Sequence, residues 1–137
     1  PLGDTGAYGR SIHASEEGHW TFDTDLKPVS GFPIRIGWFN AIRRGHAALH
    51  RGLDIGVPSL VMRSSRSIST RTVVPKSMTS DTVLDVRQIA KWAGCLGNAV
   101  TSVPIRDAMH DIFLSRDDVR EKAYGVMGDW IDRNLQS

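Results

Sequence analysis

The chain has 137 residues, 40% of them hydrophobic, which is about one domain's worth of material and enough apolar surface for a core rather than a disordered tail. Seventeen Lys and Arg against fifteen Asp and Glu leave a formal charge of only +2, with basic residues mostly interspersed among acids, so no nucleic-acid partner is expected. No run approaches the roughly 18 apolar residues of a membrane span, and Pro1-Leu2-Gly3-Asp4 has neither the basic start nor the apolar core of a signal peptide.

The single cysteine, Cys95, lies in the apolar stretch 89–96 and reads as a buried thiol, compatible with a reducing compartment. These features lead us to expect a soluble, cytoplasmic protein. Because no Met opens the chain, a longer natural protein is also expected.

Residues 1–33 are rich in Gly, Ser, Asp, His and aromatics without a sustained period, and read as irregular and turn-rich. From there Trp38, Ala41, Ile42, Gly45, Leu49 and Leu53 recur at three- and four-residue intervals, punctuated by Arg35, Arg43, Arg44 and Arg51, which predicts an amphipathic helix over 36–51. Gly56-Val57-Pro58 breaks the pattern, and Ser59-Leu60-Val61-Met62 has the form of a short buried strand. Residues 63–78, rich in Ser, Thr and Arg, predict a long exposed connection with an extended piece at 72–74.

Asp81 or Asp85 then caps a helix over 86–96, where Val86, Ile89, Ala90 and Ala93 share a face and Gly94 or Gly97 ends it. A second strand rich in Val and Ile follows at 99–105, and the loop 106–114 carries His110. Ser115-Arg116-Asp117-Asp118 predicts an N-cap with acids in the first turn, before a helical stripe of Val119, Ala123, Val126, Met127, Trp130 and Ile131. Alternation of helix and strand argues for an α/β fold, parallel strands with covering helices. Two strands alone make an incomplete sheet, so a missing N-terminal portion or another chain is expected to complete it.

In α/β sheets reactive side chains gather where loops leave the C-terminal ends of the strands. Asp81 lies beyond the first expected strand and His110 just beyond the second, so the two can meet across 29 positions of sequence. A buried carboxylate accepting the Nδ1 proton would fix the imidazole tautomer and leave Nε2 to take a proton from a nucleophile. The order acid then His is that of an α/β-hydrolase, in which a serine precedes both.

The stretches Val57-Pro58-Ser59-Leu60-Val61-Met62, Asp81-Thr82-Val83-Leu84-Asp85 and Ala108-Met109-His110-Asp111 resemble the final third of α/β-hydrolases of the serine aminopeptidase or monoacylglycerol-lipase-like group. Gly31-Phe32-Pro33 and Gly37-Trp38 are similar to the lid and its return in bacterial members. The resemblance implies a lid or cap segment over 1–55 with one helix, and the C-terminal part of the hydrolase core over 56–137. It implies that Asp81 is the triad acid, with Asp85 as its rival because the loop before Asp81 is longer than the family's, and that His110 is the general base. It also implies cleavage of an ester or related acyl bond in a small-molecule substrate through an acyl-enzyme, with no cofactor.

No G-x-S-x-G elbow occurs anywhere in the 137 residues, and the oxyanion-hole motif is absent too. The chain is therefore expected to be inactive alone, its parent protein being the enzyme. The alternative is a truncated or degenerate hydrolase module, non-catalytic and used for binding or assembly.

Other chemistry-bearing residues carry weaker readings. His46 and His50 stand four apart on the predicted helix but lack the glutamate of H-E-x-x-H and a third ligand, so no metal site is expected. His13 and His19 lie near Glu16 and Glu17 in a polar segment that can line a lid. Arg63, Arg66 and Arg71 have no interleaved aromatic for base stacking and read as a solvated loop. Trp20, Phe22, Phe32, Trp38 and Phe39 concentrate in the lid region, where they either line an acyl groove or pack a small core. Asp111, beside the histidine, reads as an exposed or locally bonded loop residue.

Overall fold

The computed structural model describes residues 6–135. The Pro1-Leu2-Gly3-Asp4 segment read above lies outside them. Among the described residues the order is a short helix α1 (Ala7–Arg10), α2 (Ile36–His50), β1 (Ser59–Ser64), α3 (Val86–Ala93), β2 (Val100–Ile105) and α4 (Asp117–Leu135), with 3-10 turns at Pro75–Thr79, Gly94–Leu96 and Ile112–Leu114. Mixed helices with a small parallel sheet give the expected α/β class in its coarse form.

The two strands pair in parallel from Ser59 opposite Val100 to Ser64 opposite Ile105. Side chains alternate across a strand, so Leu60, Met62, Thr101, Val103 and Ile105 share one face. Against that face α4 lays Val119 and Ala123, and these close with Ile105, Ala108 and Ile112 into a core that Met62, Val103, Phe113 and Val126 border. The stripe predicted for α4 is therefore buried only in its first half; Ile131 is 39% exposed.

β1 runs two residues beyond the predicted end at Met62, through Arg63 and Ser64. Polarity masked this extension, because Ser64 is buried and gives its hydroxyl proton to the Ala108 carbonyl at 2.7 Å. In β2, Pro104 has no N–H to donate, and it occupies an outward-facing position of the ladder, since Ser59 and Ser65 fix the opposite set as the bonded one by donating to Ala99 and Ile105. The outer side of β2 is thereby blunted, whereas Leu60, Met62 and Ser64 turn their backbone groups toward the outer side of β1.

α2 forms over the predicted span, one residue short at its end, and the chain leaves through Gly52 at φ 86, a left-handed conformation natural to glycine. No residue of α2 is buried, and Ile36, Trp38 and Phe39 are exposed, so the N-terminal part of its apolar face has no cover among the described residues, while Ala48 and Leu49 at its other end are half-buried. One contact that α2 makes is the stack of the His50 ring on Trp92 of α3, with centroids 3.7 Å apart.

The connection after β1 departs from its reading. Val74 is extended but belongs to no strand, and the chain turns through Pro75–Thr79 instead. It is tied down rather than wholly exposed, with Ser77 and Ser80 buried and the Ser77 hydroxyl accepting the Val74 N–H. Cys95 is half-buried, not buried, because the last turn of the predicted helix tightens into the 3-10 turn Gly94–Leu96 and rotates it partly outward.

Ile105→Ala removes a fully enclosed side chain and is expected to cost about 2–4 kcal/mol of unfolding free energy in a urea titration, whereas Ile131→Ala on the stripe predicted for α4 is expected to change it by under about 0.5 kcal/mol.

Candidate active site

Both strands of the sheet end in loops that fold toward each other. After β2, Asp107 adopts φ 60, a left-handed conformation that Asp tolerates better than most residues, and this reverses the chain immediately beyond the strand. Its carboxylate pairs with the Arg66 guanidinium on the β1 exit, tying one loop to the other.

The next two residues are clamped from both sides. Ala108 and Met109 are buried; the Ala108 carbonyl accepts from Ser64, and the Met109 N–H donates to the Ser115 hydroxyl at 2.9 Å. Ser115 was expected to cap α4. Its oxygen is instead taken up by the histidine loop, and Arg116 opens the helix by accepting the Val119 and Arg120 N–H groups through its carbonyl. His110 therefore projects from a short loop whose preceding backbone is fixed.

The acid arrives by a separate route. The Asp81 N–H donates to the Arg66 carbonyl and the Ile68 N–H donates to the Asp81 carbonyl, both at 2.9 Å, so Asp81 is held as a parallel bridge partner of Ser67 just past β1. One carboxylate oxygen, Oδ1, accepts the Val83 and Leu84 N–H groups at 2.8 and 2.7 Å in an Asx turn. The other, Oδ2, lies 3.0 Å from His110 Nδ1. The sequence left open which aspartate caps α3, and the geometry separates them: Asp85 accepts the Arg87 N–H as the N-cap, and Asp81 faces the histidine.

Electrostatics follow from this geometry. Burial by itself raises the Asp81 carboxyl, but the bond from His110 and the Leu84 and Val83 N–H groups outweigh it and hold the group below its ordinary range. His110 moves the other way. The Asp81 bond raises it against the opposing effect of burial, with the Asp81 and Asp111 charges adding and Lys27 subtracting. The Asp81 side chain is 3% exposed and that of His110 is 26% exposed, so the acid is sealed while the imidazole keeps an open edge. With Nδ1 committed to Asp81, Nε2 is the free nitrogen, and no described residue hydrogen-bonds it.

Three residues beside the histidine were not singled out as a group from the sequence. The Tyr8 hydroxyl donates to Asp111 Oδ2, and Lys27 Nζ stands 3.2 Å from both that oxygen and the Tyr8 oxygen. Asp111 keeps the exposure expected of it, its side chain being 38% exposed, but its partners are distant in sequence rather than local. No periodicity or motif marks Tyr8 or Lys27; only the adjacency of a second carboxylate to His110 hinted that something must occupy it.

The remaining candidates disperse. His13 is buried, with Nδ1 2.7 Å from the Ser15 hydroxyl and Nε2 3.3 Å from the Phe22 carbonyl, and His19 is exposed. His46 stacks on His50 at 6.0 Å, and among the described residues no group of three or more His, Cys, Asp or Glu is placed to hold a metal ion. Arg71 offers its carbonyl to Arg10, and half-buried Arg63 bonds the Ser64 carbonyl. Of the aromatics, Phe32, Trp38 and Phe39 are exposed, while Trp20 donates its indole N–H to the Leu114 carbonyl at 2.8 Å. None of the described helices is long and apolar enough to cross a membrane. Comparison of the chain with family models, curated proteins and solved structures finds no match.

The paired shifts set a pH window. A raised His110 stabilises the fold fully below the unfolded imidazole range and loses that contribution as pH rises through the folded value; a lowered Asp81 contributes above the unfolded carboxylate range and loses it as pH falls through the folded value. The pair's contribution is therefore expected to be greatest between about pH 4 and 6.5. Thermal melts across pH 2–9 check this: the difference in Tm between wild type and Asp81→Asn should be largest inside that window and shrink on either side.

Proposed function

We propose that this chain is the C-terminal part of a serine hydrolase of the α/β-hydrolase fold, supplying the acid and the histidine of a triad that cleaves an ester or related acyl bond. The observation that carries the reading is the 3.0 Å contact of His110 Nδ1 with the sealed Asp81 carboxylate, formed between loops that leave adjacent parallel strands. That arrangement leaves Nε2 as the proton acceptor.

In this reading His110 takes the proton from a serine hydroxyl as its oxygen attacks the acyl carbon, then returns it to the departing alcohol; a water repeats the cycle to release the acid. Asp81 stays ionised and stabilises the imidazolium that forms in between. The serine and the oxyanion donors come from residues outside these 137, since the sequence holds no G-x-S-x-G elbow. Residues 6–55 would then include the lid or cap, and the partner part would extend the sheet from the outer side of β1, because Pro104 blunts the outer side of β2.

A non-catalytic module used for binding or assembly is favoured by one observation, the same missing elbow. The two readings separate in the natural full-length protein. Turnover of short-chain p-nitrophenyl esters is expected to fall by at least about 10³-fold in His110→Ala and in Asp81→Asn. Equal turnover in wild type and variants, or a folded wild type that neither hydrolyses such esters nor labels with a fluorophosphonate, would remove the enzyme reading.

A further inference from the structure

Two carboxylates flank His110, and a triad histidine works with one. Asp81 is sealed and takes Nδ1; Asp111 is the next residue in the chain, and its side chain remains 38% exposed. Its charge already raises the imidazole, and a carboxylate left there without other partners would favour the imidazolium further and keep a proton on the nitrogen that must be available to a nucleophile.

The N-terminal segment prevents this. α1 directs Tyr8 across the histidine loop, where its hydroxyl donates to Asp111 Oδ2. Lys27 Nζ reaches the same oxygen at 3.2 Å and lies 5.4 and 5.5 Å from the centroids of the Tyr8 and Phe22 rings. The Tyr8 ring meets the His110 ring edge-on, with centroids 5.3 Å apart at 83°. The segment is itself pinned. Trp20 donates its backbone N–H to the Ile12 carbonyl at 3.0 Å, and Gly18 lies so close to Ile12 that an added Cβ would meet its carbonyl carbon at 1.9 Å.

We propose that Tyr8 and Lys27 are positioning residues for His110: by occupying the Asp111 carboxylate they weaken its hold on the imidazole and leave Asp81 as the acid bonded to it, while the Tyr8 ring fixes one wall beside it. This rests on the reading of His110 as the base. The groups that face the imidazole are Asp81 from the acid loop, Asp111 from its own loop, and Tyr8 and Lys27 from the N-terminal segment. Burial, then the bond to Asp111, then the charges of Asp111 and Asp81 push the Tyr8 phenol far above its ordinary range, so it remains a donor at every pH at which the imidazole titrates.

The test is a histidine-ring NMR titration of this chain. Tyr8→Phe changes no charge and keeps the ring, so it reports on Asp111 alone: the His110 midpoint is expected to move up. In an Asp111→Asn background the midpoint is expected to lie below wild type, and adding Tyr8→Phe there should move it no further. Lys27→Met is expected to raise the midpoint and Lys27→Arg to restore it. An unmoved midpoint in Tyr8→Phe, or a Tyr8→Phe shift that persists without the Asp111 charge, would overturn the proposal; unchanged signals from buried His13 confirm that the variants fold. In the full-length protein the acid limb of the pH–kcat/KM profile should follow the same midpoints. If the midpoints move and that limb does not, positioning of His110 stands and its assignment as catalytic base fails.

Discussion

A buried carboxylate has to be compensated, and in this protein the compensation organises the site. Asp81 is sealed from water, and three groups answer its charge: the imidazole of His110 and the N–H groups of Val83 and Leu84. Leaving such a charge unpaired costs several kcal/mol. The bond therefore sets where two loops must lie, one after each strand, and the parallel register that brings Ser64 beside Ile105 makes those loops neighbours. Ser64, Ser115 and the Arg66–Asp107 pair then fasten the histidine loop so that the imidazole has little freedom to leave.

Seen this way, the polar residues of the chain divide by what they hold. Ser64, Ser77, Ser80 and Ser115 are buried although the stretch that contains the first two reads as an exposed loop. The Ser64, Ser77 and Ser115 hydroxyls each satisfy a backbone group without the entropy cost of a long side chain. The N-terminal segment answers a second electrostatic problem, the carboxylate next to the histidine, with a phenol and an ammonium. The sheet itself is the least complete element: two strands, with the exposed apolar residues of α2 nearby in sequence and the outer backbone groups of β1 without a partner strand among the described residues.

Much of this was legible from residue patterns. Periodicity placed α2 and α4, a short apolar run placed β1 and a Val- and Ile-rich one β2, and the position of Asp81 and His110 beyond successive strands brought a carboxylate and an imidazole together. Patterns failed where a polar residue is buried for a tertiary reason. The expected strand stops at Met62, short of Ser64, because the partner of Ser64, the Ala108 carbonyl, is 44 positions away. Ser115 looked like a cap because local rules cannot see the Met109 N–H that claims it. Tyr8 lies 103 positions from Asp111, so no local signal could link them. That Asp81 faces the histidine and Asp85 caps α3 is likewise visible only in the fold.

The 3.0 Å contact with Asp81 requires His110 to carry its proton on Nδ1 and leave its Nε2 lone pair open. Nitrogen-detected NMR of the imidazole rings reads this directly at a pH above the His110 midpoint. The account predicts a neutral His110 protonated on Nδ1, with Nε2 bare, and predicts that this preference disappears in Asp81→Ala. A neutral ring protonated on Nε2 in the wild type, or a tautomer indifferent to Asp81, would contradict it.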